Sequence, residues 1–367
     1  MKNIFFVSKN VLVEEDSLWM LTNDTNVLCQ FDLSSMKYLS SFVLPEKKIT
    51  QYGHYSFTKV GKNVYVLPFI NEDMFVIDIQ TGEIKREKIP YKNSEKTQYG
   101  KFRIIGNDDN KILMIGHNIK GIFVYDDKGF RVSYKYLDIL KGAGIDITQE
   151  DSFFSDCYLQ LGSKIYIPLY KNNYLFIVNI ENESYQIIKM DEEIRLRTID
   201  IINEKEAIFL FTTVDDERVI WSLKKGIIEK RKLNVLNLGE KIYIRAYYIN
   251  NKYYYISAYE RKIFVEKDYK MLEIPFEYPN GEILEEGIFT QFEAVFKNGK
   301  NIFFQARSDG SVFYIDTESD SIKRKDINIS QEQKNSLIKE TYYGKKNEDV
   351  WKENYCLNLS NFIEIVK

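Results

Sequence analysis

His54 and His117 are the only two histidines in this chain of 367 residues. Histidine is the usual general base near neutral pH, because its unperturbed pKa lies close to that value. Both histidines fall in segments that the repeat described below places on one rim of the fold. The pair, helped by Tyr170 or Tyr259, is therefore a candidate catalytic base. The alternative is that both are polar loop residues without a chemical role.

Basic side chains recur in the same segments. Arginine binds carboxylate or phosphate through two parallel hydrogen bonds, so a converging set would hold an anionic group. Acidic residues of these segments, Asp156, Asp200 and Glu293, would instead neutralise the cations if they form ion pairs with them. Both interpretations stay open at the level of sequence. The candidate cations are Lys101, Arg103, Arg195, Arg197, Arg245, Arg261 and Arg307.

A short motif, Gln-Tyr-Gly-x-aromatic, occurs twice, at 51–55 and at 98–102. In one interpretation its glycine supplies the backbone geometry of a structural turn between repeats. In the other, its polar and aromatic side chains supply hydrogen bonds and stacking around a binding site. The residues concerned are Gln51, Tyr52, Gln98 and Tyr99.

These residues are positioned by a repeat. A short β-rich segment recurs seven times, and its anchor residues are spaced by 43 to 53 residues. A cluster of Gly, Asn, Asp or Glu precedes each anchor, and several of these types tolerate the positive φ of tight hairpins. The anchors are Trp19, Val64, Ile112, Ile165, Ile208, Tyr253 and Ile302.

Each repeat is predicted to form four short strands joined by hairpins, because β-branched and aromatic residues alternate along it. A repeat of about 40–50 residues with four strands is typical of a β-propeller blade. The sequence therefore predicts an all-β fold, a single β-propeller domain with seven four-stranded blades. The predicted blades cover residues 8–45, 52–90, 99–137, 153–190, 196–233, 243–277 and 290–329.

The C-terminal part differs from the repeat. Ser330 and Gln333 form a capping box, which predicts a helix over 330–343. Residues 354–366 alternate again and are expected to pair with the N-terminal Ile-Phe-Phe-Val, closing the ring of blades. A partial eighth blade is the alternative. No low-complexity linker divides the chain, which favours one domain.

The hairpin Asp78-Ile79-Gln80-Thr81-Gly82-Glu83 resembles the Asp-x-x-Thr-Gly hairpin of bacterial YVTN-type and quinoprotein-like propellers, and the repeat as a whole resembles the wider superfamily that includes WD40-like repeats. The resemblance implies the fold, and no cofactor or catalytic residue is carried over from it. Propellers serve as scaffolds, lyases, hydrolases and oxidoreductases alike, so the fold alone does not imply a function.

Composition limits the remaining classes. The net charge of −3 gives no general attraction to nucleic acid or to an anionic membrane. Two His and three Cys leave little room for a metal centre or a disulfide framework. The first apolar run has four residues, too few for a secretory signal. We therefore expect a soluble, cytoplasmic protein without metal or cofactor.

The features on the predicted rim favour recognition. Tyr and Arg suit binding surfaces, and no nucleophile or metal motif accompanies them. The leading hypothesis is a non-catalytic recognition or scaffold module that binds a protein, peptide or glycan on this rim. The alternative is a lyase or hydrolase acting on an anionic sugar or modified peptide, with His54 or His117 as base and arginines that hold the charge. Whether the protein is an enzyme, and its oligomeric state, stay open.

Overall fold

The hairpins and alternating strands of the repeat fold into seven four-stranded antiparallel sheets in the computed structural model. In every sheet the strands are paired in chain order, so each sheet is a simple meander. This confirms the predicted all-β, seven-bladed architecture. The structure describes residues 8–22, 26–46, 53–92, 100–145, 154–169, 172–191, 194–233, 243–257, 260–275, 292–307 and 310–342.

Two compact units divide the chain. The first comprises Met1–Phe102, Phe292–Ile315 and Lys323–Lys367, and the second comprises Arg103–Gln291 and Asp316–Ile322. The first unit therefore combines the N-terminal sheets with most of the last one. The hairpin tip of the last sheet is grouped with the second unit.

Sheets one, two and seven supply the strands of the first unit. Each strand has five to seven residues, and the second strands are buried at most of their positions. The strands are β1 Ser8–Glu14, β2 Ser17–Thr22, β3 Val27–Asp32, β4 Tyr38–Val43, β5 His54–Val60, β6 Asn63–Pro68, β7 Asp73–Asp78, β8 Ile84–Lys88, β25 Phe292–Asn298, β26 Asn301–Ala306, β27 Val312–Asp316 and β28 Ser321–Lys325.

Sheets three to six belong to the second unit. Their central strands are almost wholly buried, whereas the fourth strands carry most of the exposed residues. The strands are β9 Phe102–Asp108, β10 Lys111–Gly116, β11 Ile122–Asp126, β12 Gly129–Ser133, β13 Leu159–Leu161, β14 Lys164–Pro168, β15 Tyr174–Asn179, β16 Ser184–Lys189, β17 Leu196–Asn203, β18 Ile208–Thr213, β19 Glu217–Ser222, β20 Gly226–Lys232, β21 Tyr243–Ile249, β22 Lys252–Ser257, β23 Ile263–Lys267 and β24 Lys270–Ile274.

The turn clusters of the sequence lie at the hairpins between first and second strands. Asn250 and Asn251, between β21 and β22, have φ of 53° and 59°. Successive positive φ values are typical of the tight hairpin turn whose twist matches that of the strands, and Asn adopts them more readily than most residues. These turns set the strand register and hence which side chains face the neighbouring sheet.

Apolar side chains from adjacent sheets form the core. In the first unit, Leu18 and Met20 of sheet one pack with Phe303 and Val312 of sheet seven. In the second unit, Tyr166 of sheet four packs with Phe209 of sheet five, their ring centroids 4.9 Å apart. The high aromatic content of the chain is thus used largely between sheets.

Two helices accompany the sheets. The C-terminal helix α2 spans Gln331–Tyr342, close to the predicted 330–343, and its capping box is present: Ser330 Oγ accepts the Gln333 amide at 3.1 Å. The other helix, α1 at Lys135–Gly142, was not predicted and buries Tyr136 and Leu140. None of the described helices is long and apolar enough to cross a membrane.

The first and last sheets contact each other within the first unit. The Ser8 amide donates to Gln305 Oε1 at 2.9 Å. Beyond β28, Asn328 forms a parallel bridge with Lys37, and its carbonyl accepts the Tyr38 amide at 2.8 Å. The predicted closing strands at 354–366 and their proposed partner, the N-terminal Ile-Phe-Phe-Val, lie outside the described residues.

Candidate functional site

Most of the described candidate residues lie in or just before first strands, and His117, Arg261 and Arg307 lie in loops that join second and third strands. We call the loops that lead into first strands, with the loops joining second and third strands, the leading rim. Five first strands have an irregular register near their start, in β1, β5, β17, β21 and β25. A β-bulge turns a side chain away from its regular direction and is common beside functional sites. The leading rim is therefore irregular where the candidates lie.

In the first unit, His54 lies in β5 rather than in a loop. Its side chain is fully buried against the Phe75 ring, with centroids 5.2 Å apart, and Nε2 is 3.3 Å from the Asp73 carbonyl oxygen. Glu46 is close, at 3.6 Å from Nε2. This environment is that of a packed core histidine, so His54 does not present its ring to a substrate.

Lys101 is another buried candidate of the first unit. It is 0% exposed, and its Nζ donates to the Ile70 carbonyl oxygen at 2.6 Å. Burial lowers the pKa of Lys101 to about 8, which nearby Glu72 partly opposes. The amine therefore ties the segment before β9 to the loop between β6 and β7.

Arg307 is the third candidate of the first unit that the structure describes. Its Nε lies 3.5 Å from Oε1 of Glu293, whose side chain is almost fully buried. The sequence left open whether Glu293 neutralises a rim cation, and the structure places the two charges together.

In the second unit, Arg103, Asp156 and His117 form one group. Arg103 Nη1 donates to Asp156 Oδ2, and His117 Nδ1 lies 3.9 Å from the other oxygen of this carboxylate. Burial and then the Arg103 charge lower the pKa of His117 to about 4, against the opposing effect of Asp156. His117 is therefore neutral at pH 7, and such a low pKa makes it a weak base.

Arg245 reaches across to Cys157, and its Nη1 donates to Sγ. Tyr158, next in the chain, is hydrogen-bonded through its hydroxyl to the Ile105 carbonyl oxygen at 3.0 Å. Burial raises the pKa of Tyr158 and of Tyr247, so both phenols stay protonated. Arg245 of sheet six thus contacts the segment before β13, and this segment is hydrogen-bonded to sheet three.

Arg195 and Arg197 flank the start of β17, at its register shift. Arg195 donates to both carboxylate oxygens of Asp215, from Nε to Oδ2 at 3.0 Å and from Nη2 to Oδ1, and these bonds lower the pKa of Asp215. Its side chain is nevertheless 48% exposed. The Arg197 carbonyl oxygen accepts Ser155 Oγ at 2.8 Å, which links β17 to the segment before β13. Both residues therefore belong to the leading rim.

Six predicted binding residues lie outside the described residues, so their place in the site stays a prediction: Gln51, Tyr52, Gln98, Tyr99, Tyr170 and Tyr259. Arg261 is described and lies half-buried in the loop between β22 and β23. Among the described residues, no cluster of three His, Cys, Asp or Glu is arranged to hold a metal ion.

A buried charged network between sheets five and six was not predicted from the sequence. Arg218 is 1% exposed and donates to Glu266 at 2.6 Å and to Glu229. Glu266 also accepts Arg231 at 2.8 Å and the Tyr255 hydroxyl at 3.0 Å. We call these residues, Arg218, Glu229, Arg231, Tyr255 and Glu266, the clasp.

A sequence signal for these contacts exists. Arg218 and Glu266 are separated by 48 residues, as are Asp200 and its backbone partner Tyr248, and Arg103 and Asp156 by 53. Each separation equals one repeat. Complementary residues at equivalent positions of consecutive repeats therefore mark contacts between sheets, and a search at that spacing would have found the clasp.

Comparison with solved structures shows the fold. The β-propeller domain of Cps50 (Swd1) from Myceliophteria thermophila superposes with a TM-score of 0.56 at 9% identity, covering 84% of this chain and 96% of that one. Kluyveromyces lactis Hsv2 gives 0.55 at 8% identity, covering 88% and 99%. The dihydro-heme d1 dehydrogenase NirN, in complex with DHE, gives 0.53 at 11% identity, covering 87% and 66%.

No protein-family model and no curated protein matches the sequence. At these identities the structural similarity shows the architecture alone, and it includes an enzyme beside two other propellers. The resemblance to YVTN-type and quinoprotein-like propellers therefore stays a prediction. The fold itself is shown: the chain is a β-propeller of seven four-stranded blades.

Proposed function

We propose that this protein is a non-catalytic recognition or scaffold module that binds a protein or peptide through the leading rim of its second unit. One observation carries the proposal. Guanidinium groups of this rim are held in place by neighbours and still have accessible surface, 24% for Arg103 and 48% for Arg195. Arginine is enriched at binding hot spots, and a side chain already fixed loses less entropy on binding.

The surroundings of these groups favour an acidic partner. Arg103 and Arg195 each bind one carboxylate, and Arg197 and Arg245 add two further cations near the same strand ends. A guanidinium has five donors, so one bound to a carboxylate keeps donors for a second acceptor. Carboxylate or phosphate groups of a partner fit this arrangement.

Catalysis receives less support from the same residues. His54 is buried in β5, and His117 has a pKa of about 4, far from the value that suits a general base at neutral pH. Similarity to Swd1 and Hsv2 shows the fold alone, and similarity to the dehydrogenase NirN shows that this architecture also supports an enzyme. The choice therefore rests on the site.

The test compares Arg195→Ala and Arg197→Ala with Arg131→Ala. Arg131 is a matched control, because it is 42% exposed and ion-paired with Asp126 and Glu183 on a fourth strand of the same unit. Proteins captured by each variant would be quantified by mass spectrometry, and the leading partner would be titrated by calorimetry. We expect about tenfold weaker binding for the rim variants, the loss of a hydrogen-bonded charge. Equal binding by all three variants would refute the proposal.

A further inference from the structure

One apolar position recurs directly after the third strands of several sheets. The amide of this residue donates to a carbonyl oxygen in the turn between the first and second strands of the same sheet. In sheets one and four the residue is buried, with Leu33 7% and Ile180 0% exposed. In sheet five it is Leu223, whose amide donates to the Ala207 carbonyl oxygen at 3.1 Å, and it is 39% exposed. Leu223 therefore lacks the cover that the corresponding residues of two other sheets have.

Two more exposed apolar side chains follow in the same hairpin. Ile227 is 37% exposed and Ile228 is 48% exposed, and both lie at the start of β20. The register of β20 against β19 shifts between Ile227 and Glu229, so Ile228 is the extra residue of a bulge. Three of the six large apolar residues that are exposed in the described part of the chain thus lie in one hairpin. Exposed apolar groups gathered at one place mark an interaction surface, whereas single scattered ones do not.

Charges of opposite sign lie beside these apolar side chains. The turn between β19 and β20 carries Lys224 and Lys225. The adjoining turn, between β17 and β18, carries Glu204 and Glu206 on either side of Lys205, so its net charge is negative. The two lysines and two glutamates are exposed, and none of them forms an ion pair within the described part of the chain. This surface, which we call the sheet-five face, comprises Glu204, Glu206, Leu223, Lys224, Lys225, Ile227 and Ile228.

We propose that the sheet-five face is the interface of a dimer and that its occupant is the same face of a second copy of this chain. In a dimer with two-fold symmetry each patch contacts its own equivalent, so a residue of one copy meets its complement on the other. Lysines of one copy then pair with glutamates of the other, twice around the axis. The exposed apolar side chains of the two copies cover one another.

The charges favour a second copy over other occupants of an apolar surface. An anionic membrane attracts a cluster of basic residues, and here Glu204 and Glu206 oppose the lysines. A strongly acidic or strongly basic partner meets attraction at one turn and repulsion at the other. A copy of the same face meets attraction at both turns, which is the electrostatic complementarity of a specific interface.

The proposed interface is separate from the leading rim. Sheet five is an antiparallel meander, so the two turns of the sheet-five face lie at the end opposite to the loops of that rim. The inference therefore goes beyond the proposed function and does not rest on it. A dimer carries two leading rims, which increases avidity for a partner with repeated binding sites.

Sedimentation velocity of the full chain measures the association. A contact made by one end of a single sheet is small, so we expect a weak dimer with a Kd of roughly 10–100 μM. Ile228→Lys places a charge in the apolar part of the interface, and we expect association to weaken by about tenfold or more. Leu39→Lys is the matched control and leaves association unchanged, since Leu39 is 47% exposed but lies in β4 of sheet one. A wild-type chain that stays monomeric at about 200 μM overturns the proposal.

Charge reversal separates a second copy from any other occupant. An acidic variant carries Lys224→Glu with Lys225→Glu, and a basic variant carries Glu204→Lys with Glu206→Lys. Each variant alone repels its own copy, and we expect its self-association to be about tenfold weaker than that of the wild type, or weaker still. An equimolar mixture brings an acidic face against a basic one, and we expect it to associate at least as tightly as the wild type.

The mixture also controls for folding, because two misfolded variants do not restore each other's association. Circular dichroism checks each variant alone. The proposal is overturned if the mixture of folded variants does not associate, or if either variant alone dimerises as tightly as the wild type.

Discussion

The clasp and the ion pairs of the leading rim use the same chemistry in opposite surroundings. Arg218 and Glu266 are 2% and 3% exposed at their side chains, whereas Arg195 and Asp215 are 48% and 35% exposed. Both pairs belong to the second unit, and both arginines bind carboxylates. In the clasp each carboxylate oxygen of Glu266 is bound within the protein, whereas the rim pair faces water on one side.

This difference predicts unequal contributions of the two pairs to stability. A buried ion pair strongly destabilises the fold when one partner is removed, because the other charge is left unpaired. An exposed pair contributes little to stability, since water replaces what is lost. Exposure of the rim arginines is thus compatible with the proposed role in binding, whereas the clasp arginines bind carboxylates inside the protein and hold sheets five and six together.

The clasp gives the largest expected effect. Glu266→Ala leaves Arg218 and Arg231 without their shared carboxylate, and we expect a loss of about 3–5 kcal/mol in the free energy of unfolding. Urea denaturation monitored by tryptophan fluorescence measures it. Replacing both members, Glu266→Leu with Arg218→Met, is expected to recover much of this loss. A loss below about 1 kcal/mol in the single variant would mean that burial does not set the contribution of these charges.

Lys101 is a buried amine that differs from the clasp arginines, because it donates to a backbone carbonyl oxygen and not to a carboxylate. Its pKa of about 8 lies below the ordinary 10.5, so between these pH values the folded state binds fewer protons than the unfolded state. Stability therefore rises with pH through this window, by about 3 kcal/mol in total. Denaturant midpoints of wild type and Lys101→Met from pH 7.5 to 10.5 measure the difference. Parallel pH profiles of the two proteins would contradict the assignment.

His117 is expected to make stability depend on pH in the acidic range, as Lys101 does in the alkaline range. Its pKa of about 4 is below the ordinary 6.5, so the unfolded state takes up the proton first as pH falls. Stability is lost between pH 6.5 and 4, by about 3 kcal/mol, and this loss ends below pH 4. His117→Gln is expected to lack that component. Resonances of the ring protons in a nuclear magnetic resonance titration give the pKa directly, and a value above 6 would argue against the burial of the ring.

Arg195→Ala is expected to have the smallest effect on stability, and it tests most directly whether the exposed rim pair differs from the buried clasp. We expect less than about 1 kcal/mol, as for exposed ion pairs in general, and a similar value for the Arg131→Ala control. Thermal unfolding followed by circular dichroism is sufficient to measure it. A loss comparable to that of Glu266→Ala would place Arg195 with the structural charges and remove the basis for its role in recognition.

The fold could be predicted because the features that define the repeat, its turn residues and its alternating strands, can be recognised from short stretches of sequence. Turn residues and period-2 alternation depend on neighbours in the chain, and the fifth predicted blade, 196–233, corresponds to strands from Leu196 to Lys232. Helix α1 was not predicted, because the predicted third blade ends at residue 137 and no element was assigned to the residues that follow it. Its buried pair, Tyr136 and Leu140, has helical spacing, but two residues are too few to define a period.

The candidate site could be predicted only in part. The position of the arginines on the leading rim follows from the repeat, whereas their partners depend on how adjacent sheets pack. The carboxylate of Asp156 was recognised as a possible neutraliser, but Asp215 and Cys157 were not assigned to Arg195 and Arg245. The burial of individual side chains could not be predicted either, because nothing in the local sequence distinguishes the buried His54 from a histidine in a loop.

The contact between the first and last sheets has a consequence for synthesis of the chain. Gln305 binds the Ser8 amide, and Phe303 and Val312 pack against Leu18 and Met20, nearly three hundred residues earlier. During synthesis on the ribosome, an apolar face of sheet one therefore has no partner to pack against until almost the whole polypeptide has emerged. A nascent chain stalled before Phe292 would keep that face open, so we expect such intermediates to be bound by chaperones or to aggregate, and the last sheet to complete folding in a slow, late step.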